Sequence, residues 1–225
     1  AVDENIGDAN GFTLDIGARG SLNNWISYDI SFFNLFYKDR IGFLYTTIPP
    51  VNNLGQLRTN VGDAKILGFE SVIDLNLKKI LNMDERYSFN YFINTSVIDS
   101  EYTRAIMNGI VGNKVEFVPD INLKTGIRFG FDNFTSSIQY TYLSDQFSDA
   151  ENSFSGDVSG IVGVIPSYDI LDISASYKYK IVKLEAGVNN LLDNKFFTRR
   201  ATGYPGPGII PSIPRNWYLT LQFKF

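Results

Sequence analysis

Apolar and polar residues alternate one by one along most of this chain, and nowhere more regularly than at its end. In Asn216 to Phe225, Trp217, Leu219, Leu221, Phe223 and Phe225 share one face, while Tyr218, Thr220, Gln222 and Lys224 share the other. A period of two places side chains on opposite faces of a β-strand. The same pattern recurs in Leu171 to Tyr179, Val182 to Asn189, Ile121 to Phe131, Ser137 to Tyr142 and Tyr87 to Val97. It recurs again in Phe69 to Leu77, where Val72 breaks it, in Ile26 to Phe32 and in Phe12 to Arg19. Counting such stretches predicts about nine strands and an all-β chain.

The links between the strands alternate in length. Short ones are expected near Gly20 to Asn24, Lys78 to Glu85, Asp132-Asn133 and Lys178 to Ile181, and long ones near 46–60, 102–116, 149–166 and 198–214. Tight turns at one end and extended loops at the other are the rhythm of an antiparallel transmembrane β-barrel, with the long loops extracellular. A soluble β-sandwich also alternates, but its strands average about 5–6 residues. Several stretches here reach the roughly 9–11 residues that a tilted strand needs to cross a bilayer.

Composition agrees with this picture and removes competitors. Among 225 residues there are 13 Tyr, 18 Phe and 2 Trp, suited to interfacial girdles. Mean hydropathy is −0.07, and no run approaches the ~18–20 apolar residues of a membrane helix. Neither value argues against a barrel, whose strands show one face to lipid and the other to a polar lumen. The formal net charge of −4 disfavours nucleic acid as a partner. With no Cys and no His, thiolate and imidazole chemistry is excluded, and no catalytic or metal-ligating constellation stands out. The chain is therefore not expected to be an enzyme, nor to carry a resident cofactor.

Particular segments add a resemblance. The order FFNLFYKDRIG, NVGDAKILGFES, FVPDINLKTGIRF, IPSYDILDISASYKY and GVNNLLDNKFFTRR, with Gly68-Phe69-Glu70 and Asn190-Leu191-Leu192-Asp193 inside it, resembles the C-terminal barrel portion of TonB-dependent outer-membrane receptors. Within that family the loop SDQFSDAENSFSGDVSGIVGVIPSYD and the last loop resemble ferric citrate receptors. The terminal row Trp217, Leu219, Leu221, Phe223 and Phe225 resembles the signal by which outer-membrane barrels are recognised for assembly.

The resemblance implies a barrel of about 22 strands around an N-terminal plug. Nine strands and no plug would then make this chain the C-terminal part of such a receptor, with residues 1–10 in an extracellular loop. It further implies active uptake of a nutrient, foremost a ferric chelate such as ferric citrate or a siderophore, as transported ligand. The implied partners are outer-membrane lipid and lipopolysaccharide, the TonB complex acting through the plug, the barrel assembly machinery and a possible surface lipoprotein. A passive porin, a structural barrel and a glycan-importing receptor are the alternatives.

Guanidinium groups bind carboxylates in bidentate fashion, so arginines in the long loops are the candidates for an anionic chelate. Arg199 and Arg200 lead, with Arg58 and Arg104 in other loops; pairing with loop acids or lipopolysaccharide phosphates is the competing role. Tyr204 offers either an aromatic contact or a girdle residue. Asp145, Asp149, Glu151 and Asp157 could bind calcium, but their spacing does not fit a compact calcium loop and solvated charge is the simpler expectation. Glu70, Asp74, Lys124, Arg128, Asp172, Lys183 and Glu185 are expected on the lumenal face in structural polar networks.

Overall fold

The computed structural model describes residues 1–48, 53–201, 203 and 206–224. Its strands are β1 (Asn10–Leu22), β2 (Ile26–Ile48), β3 (Asn53–Asn76), β4 (Tyr87–Ala105), β5 (Ile121–Phe131), β6 (Phe134–Leu143), β7 (Gln146–Phe147), β8 (Val164–Ile165), β9 (Tyr168–Tyr179), β10 (Val182–Asn189), β11 (Phe197–Ala201), β12 (Gly208–Pro211) and β13 (Asn216–Phe223), with one helical turn, α1 (Leu77–Ile80). Nine of them form one antiparallel sheet in the order β1-β2-β3-β4-β5-β6-β9-β10-β13, each strand beside its sequence neighbour within the sheet. β7-β8 and β11-β12 form two small sheets among the loops.

Register turns the alternation into two continuous faces. Ile26, Leu75, Tyr91, Ile127, Ile138, Ile173, Val188 and Trp217 stand opposite one another in a single row across eight strands. On the other face a polar row runs Asn76, Asn90, Arg128, Ser137, Ser174, Gly187 and Tyr218. Trp217 is 79% exposed, and Leu219, Leu221 and Phe223 are exposed beside it. In water such a face would be left without a partner, whereas lipid supplies one, and the aromatic pairs Phe12–Phe36 and Phe32–Phe69 lie on it at centroid distances of 4.9 Å.

Polar residues expected on the lumenal face stand there and pair locally. Arg19 meets Asp29 at 2.7 Å, Arg128 meets Asp74 at 3.1 Å and Lys183 meets Glu185 at 2.7 Å. Asp172 accepts the Asn190 N–H at 2.9 Å, tying the loop end of β10 to β9.

Two sequence signatures have a packing cause. Gly68 lies opposite Phe33, and a Cβ there would sit 2.2 Å from the Phe33 ring. Asn190, Asp193 and Asn194 form a knot in which Asn190 Nδ2 donates to the Asn194 carbonyl and Asn194 N–H donates to Asn190 Oδ1.

The turn end is tight. Asn23 and Asn24 take positive φ between β1 and β2, as do Asp132 and Lys180 in the turns that follow β5 and β9. The link after β3 holds a helical turn that alternation did not foresee, begun by Asn76, whose side chain accepts from Lys79 N–H.

The loop end differs from expectation in the opposite sense. β2 and β3 keep pairing through Thr46↔Gly55, so most of the connection expected at 46–60 is a raised hairpin; 49–52 lie outside the described residues. The connections at 102–116, 149–166 and 198–214 likewise begin or end in strand, through β4, β8, β11 and β12.

Candidate functional site

Every fully buried apolar side chain among the described residues lies at the loop end. The cluster joins Leu44, Val61, Ala64, Ile66 and Tyr102 from the raised strands to Ile110, Val115 and Ala150 from two loops. Phe33, Leu35, Tyr37 and Ile98 pack under it. They occupy the face that is polar further down the wall, so the loops fold over the inner side of the sheet rather than splaying outward. Together the raised hairpin and the loops form a cap.

A buried ion pair fastens this cap. Glu116 is 2% exposed, and its Oε1 accepts from Arg40 Nη1 at 2.6 Å. Tyr102 Oη donates to Glu116 Oε2 at 2.6 Å and accepts from Arg40 Nη1 at 2.7 Å. Gly42 makes room, since a Cβ there would sit 2.3 Å from Glu116 Oε1. A carboxylate removed from water needs such partners to stay charged. In sequence the signal is a lone acid inside the apolar run Val115-Glu116-Phe117-Val118, and its partner is 76 residues away.

The upper part of β2 has lost its β1 neighbour, and loop groups replace it. Glu116 Oε1 accepts from Phe43 N–H, Ala150 N–H donates to the Phe43 carbonyl at 3.1 Å, and Glu151 Oε1 accepts from Tyr45 N–H at 2.9 Å. Burial pushes the Glu151 carboxyl up to about 7 against the lowering pull of the Tyr45 N–H, with Asp149 close by adding to the rise. Glu151 Oε2 is buried without a hydrogen-bond partner among the described residues.

The loop acids expected to be solvated are largely otherwise. Asp149 is fully buried and accepts from the Ser153 N–H and hydroxyl. Asp157 accepts from Val162 N–H and from Ser159, folding its own loop. Among the described residues no three such groups gather where a metal could be held.

The candidate arginines divide into two kinds. Arg104 is clamped by Asp63 and Asp39 at the bulge where β2, β3 and β4 lose register, with contacts of 2.8 and 2.6 Å. Arg200 donates to the Gly160 and Val164 carbonyls, each at 2.8 Å, and fastens the 149–166 loop to β11. Arg199 and Arg58 are exposed and have no side-chain partner among the described residues. Tyr204 and Phe225 lie outside the described residues. Arg58 and Arg199 sit on different hairpins, and no hydrogen bond or ion pair brings the four described arginines together.

No alternation or motif in the sequence marks the aromatic residues at the cap. Phe43 and Phe117 meet edge to face at 6.3 Å, and Phe147 and Phe154 do so at 5.3 Å.

Comparison with known proteins bears on what such a wall and cap belong to. A family model described as TonB dependent receptor-like, beta-barrel matches residues 8–191. The vitamin B12 transporter BtuB of Vibrio vulnificus (strain YJ016) is 35% identical over 91 residues, which are 38% of this chain and 14% of the transporter. The ferric citrate transporter FecA, in its unliganded form, superposes with a TM-score of 0.76 at 20% identity, covering 95% of this chain and 31% of FecA. The ferric yersiniabactin uptake receptor FyuA from Yersinia pestis gives 0.71 at 17% identity over 96% of this chain and 30% of its own. The copper transporter OprC gives 0.70 at 15% identity, over 99% and 32%. The chain thus spans about a third of the length of these solved receptors, and at such identities the likeness carries the fold.

Proposed function

The chain belongs to the TonB-dependent receptor β-barrel family, and on that footing we propose that it is part of an outer-membrane receptor for the energised uptake of an anionic ferric chelate, such as ferric citrate or a siderophore. Members of this family are outer-membrane β-barrels that act as transport receptors rather than enzymes. In this reading the turn end faces the periplasm and the capped end faces outside, so the long loops are extracellular. TonB works through a plug seated against the polar face, and lipid and lipopolysaccharide surround the apolar one. The exposed row Trp217, Leu219, Leu221 and Phe223 serves the assembly machinery.

One observation supports an anionic cargo above others. At the capped end Arg58 and Arg199 present guanidinium groups with no side-chain partner among the described residues, while Arg104 and Arg200 act as positioning residues for the strands and loops that carry them. Unpaired, exposed guanidinium is suited to the carboxylates of a chelate.

The test is uptake of 55Fe-labelled ferric citrate by cells producing the receptor, with and without TonB. Uptake should vanish without TonB, and Arg58→Ala combined with Arg199→Ala should weaken binding by about tenfold or more, the scale of one lost charged hydrogen bond. Uptake that persists without TonB would return the passive-pore alternative. Unchanged affinity in the double variant would remove both arginines from the site. A second reading, glycan import with a surface lipoprotein, finds its support in the exposed rings of Phe117 and Phe154, on which sugars could stack.

A further inference from the structure

Asparagine followed by glycine occurs twice in the chain, as Asn10-Gly11 and as Asn108-Gly109. In such a pair the glycine has no Cβ, which leaves its amide nitrogen open to the carboxamide of the side chain before it. Both asparagines are exposed, so access to water does not separate them. Backbone freedom does. Asn10 and Gly11 lie in β1, in register with Lys38 and Tyr37, and a Cβ on Gly11 would sit 2.0 Å from the Phe36 carbonyl oxygen. An extended backbone, with ψ near about +135°, turns the next amide nitrogen away from the side chain.

Asn108-Gly109 has no such restraint. It follows the end of β4 at Ala105, and no hydrogen bond fastens Met107, Asn108 or Gly109 among the described residues. Gly109 has a φ of +85°, and a Cβ there would meet nothing within 4 Å. The two ends of this short tip are anchored. Ile106 N–H donates to the Val61 carbonyl at 2.9 Å, and Ile110, 1% exposed, is part of the cap's interior. Gly112 N–H and the Asn113 carbonyl then pair with the main chain of Tyr102, whose hydroxyl donates to Glu116. A free tip is thus spliced between two fixed points of the cap.

We propose that Asn108-Gly109 is a self-modifying site, at which asparagine is converted to aspartate or isoaspartate with water as the only co-reactant. The Gly109 nitrogen bonds to Asn108 Cγ, the Cγ–Nδ2 bond breaks, and ammonia leaves with the proton of the Gly109 amide. Water then opens the cyclic imide. Opening at Cγ gives aspartate, and opening at the main-chain carbonyl gives isoaspartate, whose main chain runs through Cβ and Cγ. Nothing is oxidised or reduced. Either product adds a negative charge, and isoaspartate also lengthens the main chain by one carbon just before the buried Ile110. A close-packed interior does not absorb such a change without loss, so the isoaspartate form loosens the cap while the wall strands keep their register.

The experiment follows the full receptor in lipid vesicles through incubation at mildly alkaline pH, with peptide mass spectrometry and methyl labelling by isoaspartyl methyltransferase as readouts. The peptide that holds Asn108 should gain about 1 Da as its amide becomes a carboxyl, and should take up the methyl label. It should do so at least about tenfold faster than the peptide that holds Asn10, since β1 must open locally before Asn10 can react. In urea strong enough to unfold the wall, the two peptides should react at similar rates. Asn108→Gln should stop the reaction at its site. Asn108→Asp, which adds the charge without the extra carbon, should leave the cap closed, whereas receptor enriched in isoaspartate should be cut within 106–120 faster than fresh protein. No reaction at Asn108, equal rates at the two sites in the folded receptor, or a difference that persists in urea overturns the site. Isoaspartate-bearing receptor that resists protease as fresh protein does overturns the loosening.

Discussion

Phe32 and Leu44 lie on the same strand, and both are large apolar side chains, yet Phe32 is 59% exposed while Leu44 is 2% exposed. Below the bulge at Tyr37 to Arg40, β2 belongs to the wall, where Ile26, Tyr28, Ile30 and Phe32 share the outward face with Leu75, Ile73, Ser71 and Phe69. Above it the strand belongs to the cap, and Leu44 turns toward Val115, Ala150 and Tyr102. The wall has no apolar interior because the bilayer takes that role, while the cap stands in water and must build an interior of its own. Alternation tells which residues share a face; the surrounding solvent decides which face is covered.

The sharpest way to break this contrast is to damage the cap from within. Glu116→Ala leaves the Arg40 guanidinium in a largely buried place without its counter-ion, which should cost about 3–5 kcal/mol of cap stability. Limited proteolysis should then cut within 106–120, while the wall keeps its heat-modifiable mobility on a gel. Loss of the wall's mobility shift together with the loop would show that the two regions fold as one unit.

Next in size is a charge placed on each face of the wall. Ile127→Arg on the outward row should cost about 2–4 kcal/mol at the bilayer midplane. Gln139→Arg, on the inner face opposite Asp172, should cost much less. Urea titration of both variants folded into lipid vesicles measures the difference, and equal costs would deny that the outward row meets lipid.

The smallest effect is a dependence on pH confined to the cap. The Glu151 carboxyl holds its proton up to about 7 in the fold, above its ordinary value of 4.5. Between those values the folded state binds more protons than the unfolded one, so docking of Tyr45 on the loop weakens as pH rises from about 4.5 to 7. Hydrogen exchange at the Tyr45 amide, corrected for its intrinsic rate, should show that trend. Glu151→Gln should flatten it.

These comparisons also explain what could be read from the chain alone. The nine wall strands were legible because a period of two persists wherever one face meets lipid and the other a polar interior, and even the irregular Val72 sits on the inner face as its position requires. The cap was not. Arg40, Tyr102 and Glu116 meet across large sequence separations, and nothing local in any one of them specifies the other two. Asp149 and Glu151 read as ordinary loop charge because burial is a property of what folds over them. Of the arginines, sequence could place all four near the loops, but not that Arg104 and Arg200 would be occupied by Asp63, Asp39 and backbone carbonyls. Phe117 carries no mark in sequence, since its peculiarity is a backbone φ of +61°.

The seal along upper β2 has a consequence for how copies of this protein coexist. A strand that rises past its neighbour offers a ladder of vacant amides and carbonyls to any extended segment that drifts by, and that is how sheets from separate molecules become joined. Here Glu116, Ala150 and Glu151 fill those positions at Phe43 and Tyr45 with groups from the same chain. Where many such barrels stand shoulder to shoulder, that self-contact keeps each one from zipping onto the next.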